Sequence, residues 1–287
     1  MTSASALADA VADALAAEVV ALQRLSGGDV ADAYAVELAD GRRVFAKTHR
    51  RPPPHFFDTE ARGLAWLEQS GAATVPSVLA HADQPVPFLA LSWIDEASRS
   101  RADEADFGRR LAAMHRAGAP CFGRADQRTT GSRGLPNEPC DTWATLYGSQ
   151  RLLPLARLAT DSGALPAPSI ARLERVADTL DRWEDGEPAS RLHGDLWAGN
   201  RLVDTDGRSW LIDPACHGGH REFDLAMMRL FGGFGDAVYA AYDDVHPLAA
   251  GWEDRIPLHQ LAPLVVHAIK FGGGYVDAAA AAIDHCS

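Results

Sequence analysis

The spacing of apolar residues changes near residue 95, and this change constrains the fold more than any other feature of the sequence. Before it, short extended runs are separated by turn signals, which predicts strands. After it, apolar residues recur at helical spacing over longer segments. A chain of 287 residues is long enough for two lobes. We therefore predict an α+β fold with a small N-terminal lobe, residues 1–94, and a larger, mainly helical C-terminal lobe, residues 95–287.

The N-terminal lobe is predicted to hold a five-stranded antiparallel sheet. Its strands are the runs VVALQRL, DAYAVEL, RRVFAKTH, PSVLAHA and VPFLALSWI. Asp40-Gly41 is a strong hairpin signal between the second and third runs, and Gly27-Gly28 separates the first two. HFFDTEARGLAWLEQSG, after the third run, predicts an inserted helix that Asp58 or Thr59 could cap. The N-terminal segment itself predicts an amphipathic helix.

Composition and charge exclude several classes of protein. The formal net charge of −12 argues against a nucleic-acid partner, because phosphate backbones require clustered Lys and Arg. The four cysteines show neither CxxC spacing nor a zinc pattern, so we expect reduced thiols. The first twenty residues are apolar, but they carry Asp9, Asp13 and Glu18 and lack the basic start of a secretory signal. No stretch approaches the length of a membrane span. These features predict a cytoplasmic protein without a membrane partner.

Lys47 and Glu60 are candidate residues in the N-terminal lobe. Lys47 shares a strand face with Phe45, and Glu60 lies thirteen residues later on the predicted helix. An ion pair between them would fix the ammonium to meet a polyphosphate; alternatively, both side chains lie in solvent. The backbone N–H groups of Gly27-Gly28 could likewise hold phosphate oxygens, or the pair could form a plain hairpin turn.

The segment RLHGDLWAGNRLVDTDGRSWLIDP, residues 191–214, carries the strongest functional signal. Phosphoryl transfer needs a carboxylate near the attacking hydroxyl and hard oxygen ligands for magnesium. Asp195 fits the first requirement, and Asn200 and Asp213 fit the second. Alternatively, Asp195 and Asn200 are turn residues and Asp213 is a helix cap. Three acceptors in this order, after a Lys and a Glu in a β-rich lobe, favour the phosphotransferase hypothesis.

Two further features of this region leave alternatives open. His217 and His220, in HGGH, could bind zinc or manganese with Asp195 or Asp213, as in a metal-dependent hydrolase. That hypothesis gives Lys47 and Glu60 no role. The Trp197 ring is either a stacking surface for a sugar or a packed core aromatic.

These motifs resemble a known family. HGDLWAGN followed by LIDP is similar to the catalytic and metal-binding segments of protein-kinase-like phosphotransferases, which include aminoglycoside and choline kinases. DPACHGGHREFDLAM, GGDVADAY, CDTWATLYGSQRL and the late FGGGY resemble the fructosamine (ketosamine-3-) kinase family more narrowly, and the resemblance covers nearly the whole chain.

The resemblance implies a bilobal kinase-like fold that uses ATP and magnesium. Lys47, held by Glu60, would contact the α- and β-phosphates, and Gly27 and Gly28 would begin the loop over the phosphates. The sequence of that loop departs from the protein-kinase pattern, because Ala31-Asp32 stands where a protein kinase has glycine. Backbone groups of the hinge would meet the adenine; the hinge residues are Ser92, Trp93 and Ile94.

In the C-terminal lobe, the resemblance makes Asp195 the catalytic base and Asn200 and Asp213 the magnesium ligands. Asp224 would brace the catalytic loop, and His193 would orient it. The implied acceptor is the 3-hydroxyl of a fructosamine or related ketosamine, so the implied role is deglycation. The alternatives are a kinase of aminoglycoside-, choline- or homoserine-type acceptors, and a non-catalytic nucleotide sensor.

Overall fold

The computed structural model describes residues 4–26, 31–97, 102–127, 129–130 and 134–287. Gly27 and Gly28 lie outside these residues. The chain forms two compact units. We call residues 1–103 with 201–214 the sheet unit, and residues 104–200 with 215–287 the helical unit.

The sheet unit contains the five-stranded antiparallel sheet that the sequence predicts. The elements are α1 (Ala4–Leu15), β1 (Val19–Arg24), β2 (Asp32–Leu38), β3 (Arg43–Thr48), α2 (Phe56–Glu68), β4 (Val78–Ala82) and β5 (Phe88–Ser92). The strands follow the order β1-β2-β3-β5-β4, and every neighbouring pair is antiparallel. The predicted helix after the third strand is therefore confirmed as α2.

Strand alternation decides where Lys47 points. Val44 and Ala46 on β3 are buried in a cluster with Leu7 and Val11 of α1. Because successive strand residues face opposite sides of a sheet, Phe45 and Lys47 lie on the side away from that cluster.

The predicted cap of α2 was wrong. The helix begins at Phe56, so Asp58 and Thr59 already lie within it, and His55 occupies the N-cap position without a side-chain cap. Instead, Asp83, between β4 and β5, accepts a hydrogen bond of 3.1 Å from the backbone N–H of Phe57. A residue distant in sequence therefore accepts a hydrogen bond at the N-terminus of this helix. Capping patterns in the sequence concern only neighbouring residues, so they do not indicate it.

A hairpin from the C-terminal half of the sequence folds with the sheet unit. Its strands are β9 (Arg201–Val203) and β10 (Ser209–Leu211). The backbone N–H of Leu211 donates to Thr74 O at 2.8 Å, and that of Ala97 donates to Val203 O at 3.0 Å. The compact units thus differ from a division at residue 94, and the assignment of residues 1–94 and 95–287 to two functional lobes stays a prediction.

The helical unit is built mainly from helices, several of which share a core of buried apolar residues. They are α3 (Glu104–Arg116), α4 (Trp143–Tyr147), α5 (Leu153–Ser162), α6 (Ala167–Asp178), α7 (Glu222–Phe231), α8 (Asp236–Val245), α9 (Ile256–Phe271) and α10 (Gly274–Cys286). Four short strands join them: β6 (Thr129–Thr130), β7 (Leu135–Pro136), β8 (Ser190–Leu192) and β11 (His217–Gly219). A π-helical turn, Gly148–Leu152, links α4 to α5. No helix in the described ranges combines the length and apolar character needed to cross a bilayer.

Candidate active site

Lys47, Glu60 and Asp213 form a charged cluster within the sheet unit. Lys47 Nζ lies 2.5 Å from Glu60 Oε2 and 2.6 Å from Asp213 Oδ1. The Lys47 and Glu60 side chains are about a tenth exposed, whereas the Asp213 side chain is 50 % exposed. The ion pair expected from the sequence is therefore present, and one ammonium is shared by two carboxylates.

Burial and charge act against each other in this cluster. Burial disfavours the charge on Lys47, but Glu60 and Asp213 outweigh it and hold the pKa of the ammonium above its ordinary value. Burial raises the pKa of Glu60 to about 7, although attraction to Lys47 opposes that change. Because two carboxylates share one cation, Lys47 stays charged at neutral pH while Glu60 is close to accepting a proton.

Asp213 is held in an uncommon backbone conformation. It follows β10 with φ 52°, and among the described residues it is one of three non-glycine residues with positive φ, with Ala16 and His55. L-residues rarely adopt this left-handed region, and strain of this kind occurs most often at functional sites. The conformation turns the chain at Asp213 directly before Pro214, while the Asp213 carboxylate contacts Lys47.

The helical unit holds Asp195 in a loop that Asp224 braces. The loop follows β8 (Ser190–Leu192), which pairs with β11 (His217–Gly219). Asp224 accepts hydrogen bonds from the backbone N–H groups of His193, at 2.7 Å, and Gly194, at 2.9 Å. His193 Nδ1 in turn accepts the backbone N–H of Asp195 at 3.2 Å. Asp224 and His193 thus both contact this loop, and the bracing and orienting roles that the resemblance implies for them stay a prediction.

Glycine is required at position 194. Gly194 has φ +80°, and a Cβ built there would lie 2.1 Å from the carbonyl oxygen of Ala215. Both the backbone conformation and the close approach exclude a side chain. The residue directly before Asp195 therefore lets the loop pack tightly on the segment that follows Pro214.

Asn200 is oriented by Asp195. Its Nδ2 donates to Asp195 O at 2.8 Å and to Asp195 Oδ2 at 3.1 Å. Since both partners are acceptors, the amide must present Nδ2 to them, and its Oδ1 faces elsewhere. Carboxylate and amide oxygens are the ligands that Mg²⁺ prefers. Asn200 and Asp213 each carry an oxygen donor of this type.

His115 contacts Asp224, and the sequence did not indicate this contact. It lies on α3, is fully buried, and bridges Asp224 Oδ2, at 3.2 Å, and the Tyr242 hydroxyl, at 2.8 Å. Burial acts to raise the pKa of Asp224, but the hydrogen bond from His115 and other neighbours hold that pKa below its usual range. His115 was missed because the contact joins residues 109 apart and no local pattern marks it.

Trp197 and the hinge residues are at least partly exposed. The Trp197 side chain is 42 % exposed, so it is not a packed core aromatic, and its stacking role stays a prediction. Ser92 ends β5, and its hydroxyl accepts the backbone N–H of Ser77 at 2.9 Å. The Trp93 indole donates to Asp95 at 3.1 Å. Ser92, Trp93 and Ile94 are all partly exposed.

The HGGH histidines take part in separate contacts. His217 Nδ1 lies 3.0 Å from Ala215 O, and burial lowers the pKa of His217 to about 3. His220 contacts Asp185 and lies in a buried cluster with Glu222 and His259. Arg255 binds the Glu222 carboxylate with two hydrogen bonds, which neutralises the anion. The contacts of His220 with Asp185 and Glu222, and of Arg255 with Glu222, form a network of charged groups.

This network predicts that acid destabilises the fold. Burial lowers the pKa of His259 from 6.5 to about 4. Between these pH values the folded protein therefore binds fewer protons than the unfolded chain. The contribution of the neutral His259 to the free energy of unfolding is fully present above pH 6.5 and is lost as the pH falls through 4. The pKa of Glu222 is lowered to about 2, because His259 and Arg255 outweigh its burial, and its contribution is lost below pH 4.5.

We expect His259→Gln to flatten the decline of the melting temperature between pH 6.5 and 4. The buried histidine contributes about 3 kcal/mol of pH-dependent free energy of unfolding, at roughly 1.4 kcal/mol per unit of pKa. Thermal unfolding across this pH range checks the slope. The control is the same substitution at the exposed His285, for which the wild-type slope should persist. An unchanged slope in His259→Gln would show that His259 does not cause the loss of stability in acid.

The fold is shared with known phosphotransferases. A macrolide 2′-phosphotransferase type I has a TM-score of 0.60 at 19 % identity, and the match covers 96 % of this chain and 95 % of that chain. At this identity the similarity concerns the fold alone. The architecture is that of the protein-kinase-like phosphotransferases.

The family follows from closer matches. The model of the family described as fructosamine kinase matches residues 2–287. A probable ketoamine kinase of Synechocystis sp. is 33 % identical over 267 residues, which covers 91 % of this chain and 88 % of the relative. A crystal structure assigned to the fructosamine-3-kinases, from Thermobifida fusca, is 41 % identical with a TM-score of 0.90 and 98 % coverage of both chains. The chain belongs to the fructosamine kinase family, and it is a phosphotransferase that uses ATP and acts on a hydroxyl group.

Proposed function

We propose that the protein transfers the γ-phosphoryl group of ATP to the 3-hydroxyl of a ketosamine, with magnesium as the metal. The observation that carries the proposal is the buried Lys47 ammonium held between Glu60 and Asp213. The fixed ammonium of Lys47 is suited to bind a polyphosphate, and the half-exposed carboxylate of Asp213 is suited to bind its metal counter-ion. The fructosamine-3-kinase assignment of the Thermobifida fusca relative supports the acceptor and its position.

The sheet unit contributes the phosphate-binding part of the proposed machinery. Lys47 binds the α- and β-phosphates, and Glu60 fixes its ammonium. Backbone groups of the hinge, Ser92 to Ile94, meet the adenine. Asp213 supplies a carboxylate ligand for magnesium.

The helical unit contributes the acceptor-activating part. Asp195 hydrogen-bonds the substrate hydroxyl and accepts its proton, and Asn200 offers an amide oxygen to the metal. Asp224 and His193 hold the loop that presents them. When bound, magnesium neutralises charge on the β- and γ-phosphates. Because the transition state is loose, most of the acceleration comes from positioning and electrostatics.

The proposed transfer forms one bond to phosphorus and breaks one. A new bond joins the sugar O3 to the γ-phosphorus, the bond from that phosphorus to the β–γ bridging oxygen breaks, and ADP leaves. The proton of the hydroxyl passes to Asp195. The ketosamine 3-phosphate then sheds its amine, which makes the proposed role deglycation. The proposed location is the cytoplasm, which suits the four free cysteines.

An acceptor panel tests this function. We expect ADP to form with ATP, magnesium and fructosyl- or ribulosyl-amines, and turnover with aminoglycoside, choline or homoserine to be at least tenfold lower in kcat/KM. A chelator should abolish turnover, and excess magnesium should restore it. Preference for another alcohol would replace the ketosamine, and product formed without ATP would favour a hydrolase.

A further inference from the structure

The FGGGY segment joins α9 to α10 and has no role in the proposed reaction. Gly272 and Gly273 have φ +63° and +57° with ψ near −140°, a conformation that glycine alone adopts readily. The space around both α-carbons is open, so the backbone angle requires glycine and packing does not. The turn brings Phe271 at the end of α9 to within 5.9 Å of Tyr275 on α10, measured between ring centroids.

These two rings continue a chain of aromatic side chains in the helical unit. Trp197 lies 6.1 Å from Phe231, Phe231 lies 4.9 Å from His267, and His267 lies 5.5 Å from Phe271 and 5.0 Å from Tyr275, all between centroids. We call this set the aromatic ridge; its members are Trp197, Phe231, His267, Phe271 and Tyr275. His267 Nδ1 contacts Pro263 O at 2.7 Å, which fixes the central ring.

The ridge ends in exposed rings on both sides. Trp197 is 42 % exposed and Phe271 is 52 % exposed. In the described part of the helical unit these are the only large apolar side chains that are exposed; the other two, Val20 and Leu79, lie on strands of the sheet unit. Exposed apolar surface has a cost in water, so these two rings are candidates for a binding surface.

The position and chemistry of the ridge match the amine half of a ketosamine. Its first member, Trp197, follows Asp195 by two residues, and the Trp197 backbone N–H donates to Asp195 O at 3.2 Å. In a ketosamine the nitrogen is bonded to C1, two carbons from the C3 that bears the accepted hydroxyl. A substrate hydroxyl at Asp195 therefore leaves the protonated amine two carbon atoms away, and Trp197 is the member of the ridge nearest to Asp195 in the chain.

Aromatic faces bind cations as well as apolar groups. An ammonium over a Trp, Tyr or Phe face is attracted by the ring quadrupole. The ridge already shows this preference, since the Nζ of Lys270, on α9, lies 4.7 Å from the Phe271 centroid. A protonated amine that carries an apolar group would thus find a suitable surface along the whole ridge.

We propose that the aromatic ridge binds the amine-borne part of the substrate and selects ketosamines whose amine carries an aromatic or large apolar group. This inference rests on the proposed function and adds the substrate class to it. In this proposal Phe271 contacts the group that the amine carries, because it is the exposed ring of the ridge at the end away from Trp197 and Asp195.

The test compares kcat/KM for fructosyl-phenylalanine and fructosyl-glycine, which share the sugar and differ in the carrier side chain. We expect the wild type to prefer the phenylalanine adduct by about three- to tenfold, the range that one aromatic contact supplies. Phe271→Ala should reduce this ratio toward one, mainly by raising KM for the phenylalanine adduct. Phe271→Tyr should keep the ratio. Val20→Ala, at an exposed apolar residue outside the ridge, is the matched control and should keep it too.

The outcomes separate the inference from the function on which it rests. Turnover of both adducts with equal kcat/KM, or a ratio that Phe271→Ala leaves unchanged, would overturn the inference alone. No turnover of either adduct, or of the corresponding ribulosyl adducts, would overturn the proposed function and the inference with it. A ratio that falls only in Phe271→Ala supports the inference, because a general loss of folded protein lowers both rates equally.

Discussion

Replacing Asp195 by asparagine is expected to lower kcat by about two to four orders of magnitude, the range of a general base, while the protein stays folded. Asparagine has the same shape and can still bind the substrate hydroxyl, but it cannot accept the proton. Its side-chain oxygen can still accept the Asn200 Nδ2 hydrogen bond, which Asp195 accepts at 3.1 Å in the wild type. The loop is also held by backbone contacts to Asp224, which the substitution does not touch.

Two measurements separate chemistry from folding in this variant. The rate of ADP formation reports turnover, and the increase in melting temperature on adding ATP and magnesium reports nucleotide binding. We expect the first to collapse and the second to persist. Asp206→Asn, in the exposed turn of the β9–β10 hairpin, is the matched control and should behave like the wild type. Full turnover in Asp195→Asn would remove Asp195 from its proposed role.

The sequence predicted the elements that depend on local periodicity. The five strands, the inserted helix and the helices after residue 95 all appear, because alternation and helical spacing are properties of short segments. The Lys47–Glu60 pair could be predicted for the same reason: strand alternation gives the face of Lys47, and the helix brings a carboxylate back toward that strand.

The sequence did not predict features that distant residues create. The cap of α2 comes from Asp83, the bracing of Asp224 includes His115, and the β9–β10 hairpin folds with strands more than a hundred residues away in sequence. The left-handed backbone of Asp213 is likewise imposed by its surroundings, since aspartate has no strong preference for it. Pairings of this kind are set by tertiary packing and leave no local pattern.

Replacing Lys47 by methionine is expected to cause the largest combined loss, in both activity and stability. Without the ammonium, Glu60 is a buried carboxylate with no cation beside it in the described structure, and Asp213 loses its Oδ1 partner. Removing one member of a buried ion pair typically costs about 3–5 kcal/mol. The half-exposed Asp213 adds little to this figure, because water screens its charge. Turnover should fall at least a hundredfold, since the proposed phosphate contact is lost.

The pH dependence of the Lys47→Met variant gives the sharpest check. The pKa of Glu60, already about 7 because of its burial, rises further when Lys47 no longer opposes that burial. A carboxyl whose folded pKa is raised stabilises the fold fully below its unfolded value near 4.5, and this contribution is lost as the pH rises through the folded pKa. The deficit in melting temperature relative to the wild type should therefore be larger at pH 8 than at pH 5.

A double variant completes this prediction. Glu60→Gln removes the buried charge, so adding it to Lys47→Met should recover most of the lost stability and abolish the added pH dependence, because no carboxyl remains to titrate at that position. It should not recover turnover, because the ammonium proposed to bind the phosphates is still absent. Thermal unfolding at the two pH values, combined with ADP formation, separates these effects. Recovery of turnover together with stability would show that Lys47 acts only on the fold, and the proposed phosphate contact would then be wrong.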